Sequence, residues 1–160
     1  MKSAGPNSMR VLKKSFAVAT LLCSTACTPQ VRTLEHSPTM AAEEARSFAR
    51  AALIERDFPK AYRMFADKSQ RSTSFDQFTE AIRNSHPRAF PLTLAVVEYE
   101  PVPTQSGMNI YLYGENGEEK FYYRFVMEGV RETGYKVSGL WRNNGPYPPA
   151  PLKRRLGEGL

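Results

Sequence analysis

Cysteine is nearly absent from this 160-residue chain: Cys23 and Cys27 are the two, and both fall within its first 27 residues. The remainder has no disulfide to staple it. Histidine is as scarce, with only His36 and His86. Neither has cysteine, histidine or acidic neighbours at metal-ligand spacing, so no metal site and no cofactor is expected. No glycine-rich phosphate loop follows a strand, since Gly114 and Gly117 belong to a hairpin signal. No nucleophile-elbow motif, internal repeat or interdomain linker is present, and no apolar run is long enough for a lasting bilayer span.

A surplus of positive charge is present, but not where nucleic acid would use it. The formal charge is +6, with 22 basic and 16 acidic residues. Lys2, Arg10, Lys13 and Lys14 lie before Cys27, where there is no acidic residue, so the chain from Cys27 onward carries 18 basic against 16 acidic, a net of +2. That balance offers no phosphate-neutralising surface, which excludes nucleic acid as a partner. Hydrophobic residues at 41% and charged residues at 24% are ordinary for one globular domain with a real core.

The first 26 residues have the order of a secretory leader. Residues 10–14 form a basic n-region and Ser15–Leu22 an apolar h-region, and small residues Ser24, Thr25 and Ala26 come next. Met9 serves as well as Met1 for a start. The segment Leu22-Cys23-Ser24-Thr25-Ala26-Cys27 resembles a bacterial lipobox, with Ser24 where leucine is usual. The resemblance implies diacylation of Cys27, cleavage before it, and anchorage in a bacterial membrane by lipid. Thr28, rather than aspartate, after the cysteine points to the outer membrane, facing the periplasm. The alternative is an ordinary signal cleaved after Ala26, which leaves Cys27 as a free thiol.

Residues 27–37 read as a polar tether. Ser37-Pro38 opens a helix over 38–56, with Ala41, Ala45, Phe48, Ala49, Ala52 and Leu53 on one face. Arg56-Asp57-Phe58-Pro59 breaks it, and a second helix runs to about Asp67. A polar loop over 68–73 leads to Ser74-Phe75-Asp76-Gln77, a capping box that starts a third helix. Phe75, Phe78, Ala81 and Ile82 line one face of that helix until His86-Pro87 ends it. Alternation then predicts four strands: Leu92 to about Tyr99, Met108–Leu112, Phe121–Met127 and Tyr135–Trp141. Glu115-Asn116-Gly117 marks a hairpin. Residues 144–160 are proline-rich and then basic, and are expected to be extended or disordered. The fold class is α+β, three N-terminal helices packed on a curved four-stranded antiparallel sheet.

Over residues 38–143 this pattern resembles the nuclear transport factor 2-like superfamily, the cystatin-like cone shared with ketosteroid isomerases. The residues that carry the likeness are Phe48 and Ala49, the Arg-Asp-Phe-Pro-Lys-Ala-Tyr corner at 56–62, the Ser74–Phe78 helix start and a tryptophan in the last strand. Arg56 stands where the corner usually has glycine. The resemblance implies a conical pocket, and a homodimer through the open sheet face.

An isomerase-type site needs a carboxylate base and a tyrosine oxyanion donor facing an apolar cavity. Tyr62, Tyr111 and Tyr123 are candidate donors, with Asp57 or Asp76 as the acid. Asp76 is explained by its place in a helix's first turn, and Asp57 by a helix–helix corner. Phe121, Tyr123, Phe125 and Met127 read as core, with no carboxylate among them. The expectation is therefore a non-enzymatic envelope lipoprotein that binds a small apolar ligand or a protein partner. Tyr62, Tyr111, Tyr123 and Trp141 are its candidate pocket or interaction surface. The alternatives are a ketosteroid-isomerase-like enzyme and a structural part of an envelope or secretion assembly. Tyr111, Tyr113 and Tyr122 alternate opposite the core, and Lys153-Arg154-Arg155 forms a small basic cluster near the end.

Overall fold

The computed structural model describes residues 35–102, 106–117 and 119–156. The leader, Cys27, most of the tether, Pro103 and the last four residues lie outside the described residues.

Helix α1 (Pro38–Ala49) starts as its sequence dictates: Pro38 sits in the first turn and the Ser37 hydroxyl accepts from the Met40 amide. The helix continues as a wider π-helical segment, Arg50–Glu55, so the periodic stretch at 38–56 is one continuous element. Its alanines at 41, 42, 45, 49, 51 and 52 are all buried, and the absence of bulk lets the sheet approach closely. Arg56 closes it with φ 57°, the left-handed region, and its amide and that of Asp57 both reach the Ala51 carbonyl. This is the position where a glycine is free of strain.

Asp57 caps α2 (Phe58–Arg63) by accepting from the Lys60 amide at 2.9 Å. The second helix ends at Arg63, short of Asp67, and most of residues 68–73, expected to be loop, belong to a short helix α3 (Asp67–Ser72) with no buried residue. Its polar side chains fix it: Gln70 Nε2 donates to the carbonyls of Tyr62 and Phe65, and Ser69 Oγ donates to the Ser138 carbonyl. Helix α4 (Phe75–Asn84) carries the complete capping box of Ser74 and Gln77. Phe78 and Ile82 on its apolar face are buried, but Phe75 and Ala81 on the same face remain exposed.

Strands β1 (Thr93–Pro101), β2 (Gly107–Asn116), β3 (Glu119–Val130), β4 (Gly134–Asn143) and β5 (Arg154–Arg155) form one antiparallel sheet in the order β4-β3-β2-β1-β5. Leu92, expected in the first strand, precedes it and is 65% exposed. Met108, Ile110, Leu112, Phe121, Tyr123, Phe125 and Met127 face the helices and are fully buried. Each such side chain contributes about 1.5–3 kcal/mol by leaving water. An exposed ion pair such as Lys136–Asp67 contributes about 0–1 kcal/mol, so the inner face decides stability.

The simple alternation expected for the last strand fails at Ser138. A bulge there leaves Val137 opposite Met127 and Gly139 opposite Val126. Beyond it Leu140 and Arg142 take the inner face and Trp141 turns to the outer face, 46% exposed. Gly139 accommodates the change, because a Cβ there would collide with the Trp141 indole at 2.3 Å.

The proline-rich tail is extended and ordered. It folds back over the outer face and ends as β5, with Arg154 and Arg155 opposite Tyr99 and Glu98. The Leu156 amide donates to the Val97 carbonyl at 3.1 Å.

Arg56→Gly removes about 1–2 kcal/mol of left-handed strain and forfeits about 0.5–1 kcal/mol from the guanidinium over the Phe90 ring. Glycine's extra freedom in the unfolded chain costs about 0.4–1 kcal/mol more, so a net change within about 0.5 kcal/mol of zero is expected in urea unfolding. A larger fall in the midpoint would show that the cation–π contact outweighs the strain.

Candidate functional site

The interior of the helix–sheet sandwich is filled. Phe48, Phe121, Tyr123 and Phe125 are all fully buried and in ring contact along the series Phe48–Phe125–Tyr123–Phe121. One polar pair sits among them. His86, just past α4, is 4% exposed, with Nδ1 2.8 Å from the Ile82 carbonyl and Nε2 2.7 Å from the Tyr123 hydroxyl. The carbonyl only accepts, so Nδ1 carries the proton and Nε2 accepts from Tyr123. Burial holds the imidazole below its ordinary pKa, and Arg142 adds to this; the Ile82 bond and Glu119 oppose it. Burial likewise raises Tyr123 well above the usual phenol range. Both groups are therefore neutral, mutually satisfied and sealed from any substrate.

The four sequence candidates do not converge. Tyr62 braces the helical layer by donating to the Thr73 carbonyl at 2.7 Å, with its ring against Phe75 and Phe78. Tyr123 lies inside the core. Tyr111 and Trp141 lie on the outer face of the sheet, where Tyr113 and Tyr122 join them with rings 5.4 Å apart. Tyr111 is 5% exposed because the tail covers it. Its hydroxyl donates to Glu100 Oε2 at 2.7 Å, and burial first, then that bond, push its pKa up. The Tyr113 hydroxyl donates to Glu115, which pushes its pKa to about 12.

The tail supplies residues that strand alternation could not reveal. Tyr147 lies 5.2 Å from the Tyr111 ring and donates to the Trp141 carbonyl. The Arg124 guanidinium sits over the Trp141 and Tyr147 rings. Lys153, in the small basic cluster near the end of the chain, has a side chain only 5% exposed. Its ammonium lies 4.1 Å above the Tyr111 ring, 3.3 Å from Glu98 Oε2, and 2.8 Å from the Pro148 carbonyl. The tail is thus latched near its start by Tyr147 and further along by Lys153 and the adjoining β5.

Between tail and sheet a groove of about 600 Å³ opens to solvent. Val97, Glu98, Tyr113, Tyr122, Tyr147 and Leu156 are among its walls. That volume is within the range of small-molecule sites, and the walls combine apolar area with phenolic tips. Among the described residues no three potential ligands gather to hold a metal, and no helix is long and apolar enough to cross a membrane. Tyr111 and Glu100 are a tyrosine–carboxylate pair, but the phenol keeps its proton and already donates its hydrogen bond to that carboxylate. Comparison with known proteins yields no match: no family model, no curated protein and no solved structure is significantly similar to the chain.

The depressed His86 pKa makes stability pH-dependent. The unfolded chain binds the proton more tightly, so the contribution is complete above the unfolded value of about 6.5 and is lost as pH falls from there toward the lower folded value. Thermal unfolding at pH 7.5 and 5 should show this loss in the native chain. His86→Phe should destabilise by about 1–3 kcal/mol, because the Tyr123 hydroxyl is left buried and unpartnered. Adding Tyr123→Phe should recover much of that cost and flatten the pH dependence. An equal pH slope in the double variant would refute the assignment.

Proposed function

We propose that this chain is a bacterial envelope lipoprotein, anchored through lipid on Cys27 to the outer membrane and facing the periplasm. Its domain would be a cone of the nuclear transport factor 2-like type that serves as a non-enzymatic binding module. The arrangement of helices followed by a bulged antiparallel sheet is compatible with that type. The observation that carries the reading is the contrast between a filled interior and an open tyrosine-lined groove on the opposite sheet face. A small apolar ligand or a protein partner would bind there, its apolar surface against Tyr113, Tyr122 and Val97 and its polar groups against phenolic oxygens. A homodimer through this face would have to build on the tail or displace it. The isomerase-like alternative has only the Tyr111–Glu100 pair in its favour. A structural role in an envelope assembly would use the same groove for a protein.

The test places a photo-crosslinking residue at Tyr122 in the full precursor, expressed in a Gram-negative host and irradiated in intact envelopes. The expected result is membrane retention and a defined adduct at position 122, absent when the probe replaces exposed Glu43 on α1. Cys27→Ser should release the protein from the membrane fraction. Retention without Cys27, together with equal labelling from positions 122 and 43, would overturn the reading.

A further inference from the structure

The β4 side of the sheet presents a second surface, independent of the tyrosine groove. The first half of β4 is covered: the Ala66 amide donates to the Val137 carbonyl at 2.7 Å, the Val137 amide to Met64, and Ser69 Oγ to the Ser138 carbonyl. Beyond Ser138, on the edge facing away from β3, no strand among the described residues lies beside Gly139–Asn143, because β4 ends the sheet. Apart from the Trp141 carbonyl, which accepts from Tyr147, no hydrogen bond from outside the sheet to that backbone stretch is found among the described residues.

Helix α4 runs alongside this bare edge, and a pocket of about 150 Å³ lies between them. Phe65, Phe78, Ala81, Ile82, Leu140 and Arg142 line it. The exposure of Ala81, which lines the pocket between buried Phe78 and Ile82, shows that this channel is not closed by the chain's own packing. On the other side of the same edge Trp141 is exposed. The channel also has a sign. Glu119 Oε1 serves both Arg142, at 2.9 Å, and Arg88, at 3.8 Å, so two guanidinium groups share one carboxylate. The Arg142 Nε has no hydrogen-bond partner.

We propose that this channel binds an extended segment of a partner protein, which adds to β4 as a sixth strand. The segment carries apolar residues at alternate positions and a carboxylate at the Arg142 end. An unpaired row of backbone donors and acceptors is matched by another extended backbone and not by a helix. With a side-chain period of two, one residue enters the pocket between α4 and Leu140 while the next lies over Trp141. The surplus guanidinium charge selects an acidic side chain or a chain terminus. A second copy of this chain fits less well, because β4 pairing with itself would bring another Arg142 into a channel that already holds excess positive charge.

The test pans a random peptide library, displayed with free C-termini, against the full-length chain in detergent. Enriched peptides should alternate apolar residues and end in an acidic residue or the free terminus. On the native chain they should slow amide hydrogen exchange over 139–143. They should bind Ala81→Glu at least ten-fold more weakly, since that side chain projects into the channel from an exposed helix position. Thermal unfolding checks that Ala81→Glu is folded, and the exchange experiment needs no variant. No enrichment, equal binding to a folded Ala81→Glu, or protection confined to residues 113 and 122 would each refute the proposal; the last would instead favour the tyrosine groove.

Discussion

The Phe48 ring is the contact on which the remaining arrangement depends. It meets Phe125 of the sheet at 5.5 Å, Phe65 of the corner after α2 at 6.3 Å, and Phe78 of α4 at 6.2 Å. One side chain of α1 therefore fixes the positions of the sheet, the corner and the last helix. Aromatic pairs at these separations add to what burial alone supplies. The alanines around Phe48 make the contact possible by removing bulk on the same helix face. Phe48 and its buried neighbours occupy the space between helices and sheet, and among the described residues a groove open to solvent lies on the other face of the sheet.

The two faces of the sheet differ in chemistry as well as in burial. Both strand phenylalanines, Phe121 and Phe125, face the helices, and the outer rings are Tyr111, Tyr113, Tyr122, Tyr147 and Trp141. A phenol can cover apolar area while its hydroxyl finds a partner at the margin, here Glu100, Glu115 or the Trp141 carbonyl. Inside, the same residue type needs a dedicated acceptor. That requirement explains His86: the imidazole satisfies the Tyr123 hydroxyl, whose oxygen would otherwise be stranded among phenylalanines. The buried histidine is thus a structural consequence of a buried tyrosine.

What could be read in advance was local. The capping box at Ser74–Gln77, the proline start of α1 and the alternation of β3 depend on residues within a turn or a strand of one another, and the structure reproduces each. Helix α3 was not legible because it buries nothing, so no apolar period marks it. The outward turn of Trp141 depends on a bulge that only pairing with β3 creates. The tail's place depends on Lys153 meeting Glu98 and Tyr111, residues more than forty positions away. His86 looked like a helix stop before a proline, because its partner at Tyr123 lies on a strand 37 residues on. Of the candidate site, the run of outward tyrosines was visible in the alternation, but the wall that turns it into a groove was not.

The two candidate surfaces share a cause in the irregularities of the strands beside them. In β1 the register shifts between Val96 and Glu98, which leaves Val97 as the extra residue. Val97 is 39% exposed, lines the tyrosine groove and offers its carbonyl to Leu156, so this bulge both opens the groove and anchors the tail that walls it. In β4 the bulge at Ser138 rotates the residues after it, which sends Leu140 and Arg142 to the helix side and Trp141 to the outside. Without that rotation the Trp141 indole would occupy the inner face beside α4, and the channel between them would be filled. A bulge costs a ladder position and bends the strand. Here each one converts a stretch of regular sheet into a surface with a shape and a chemical character, at the two sides of a core that is otherwise closed.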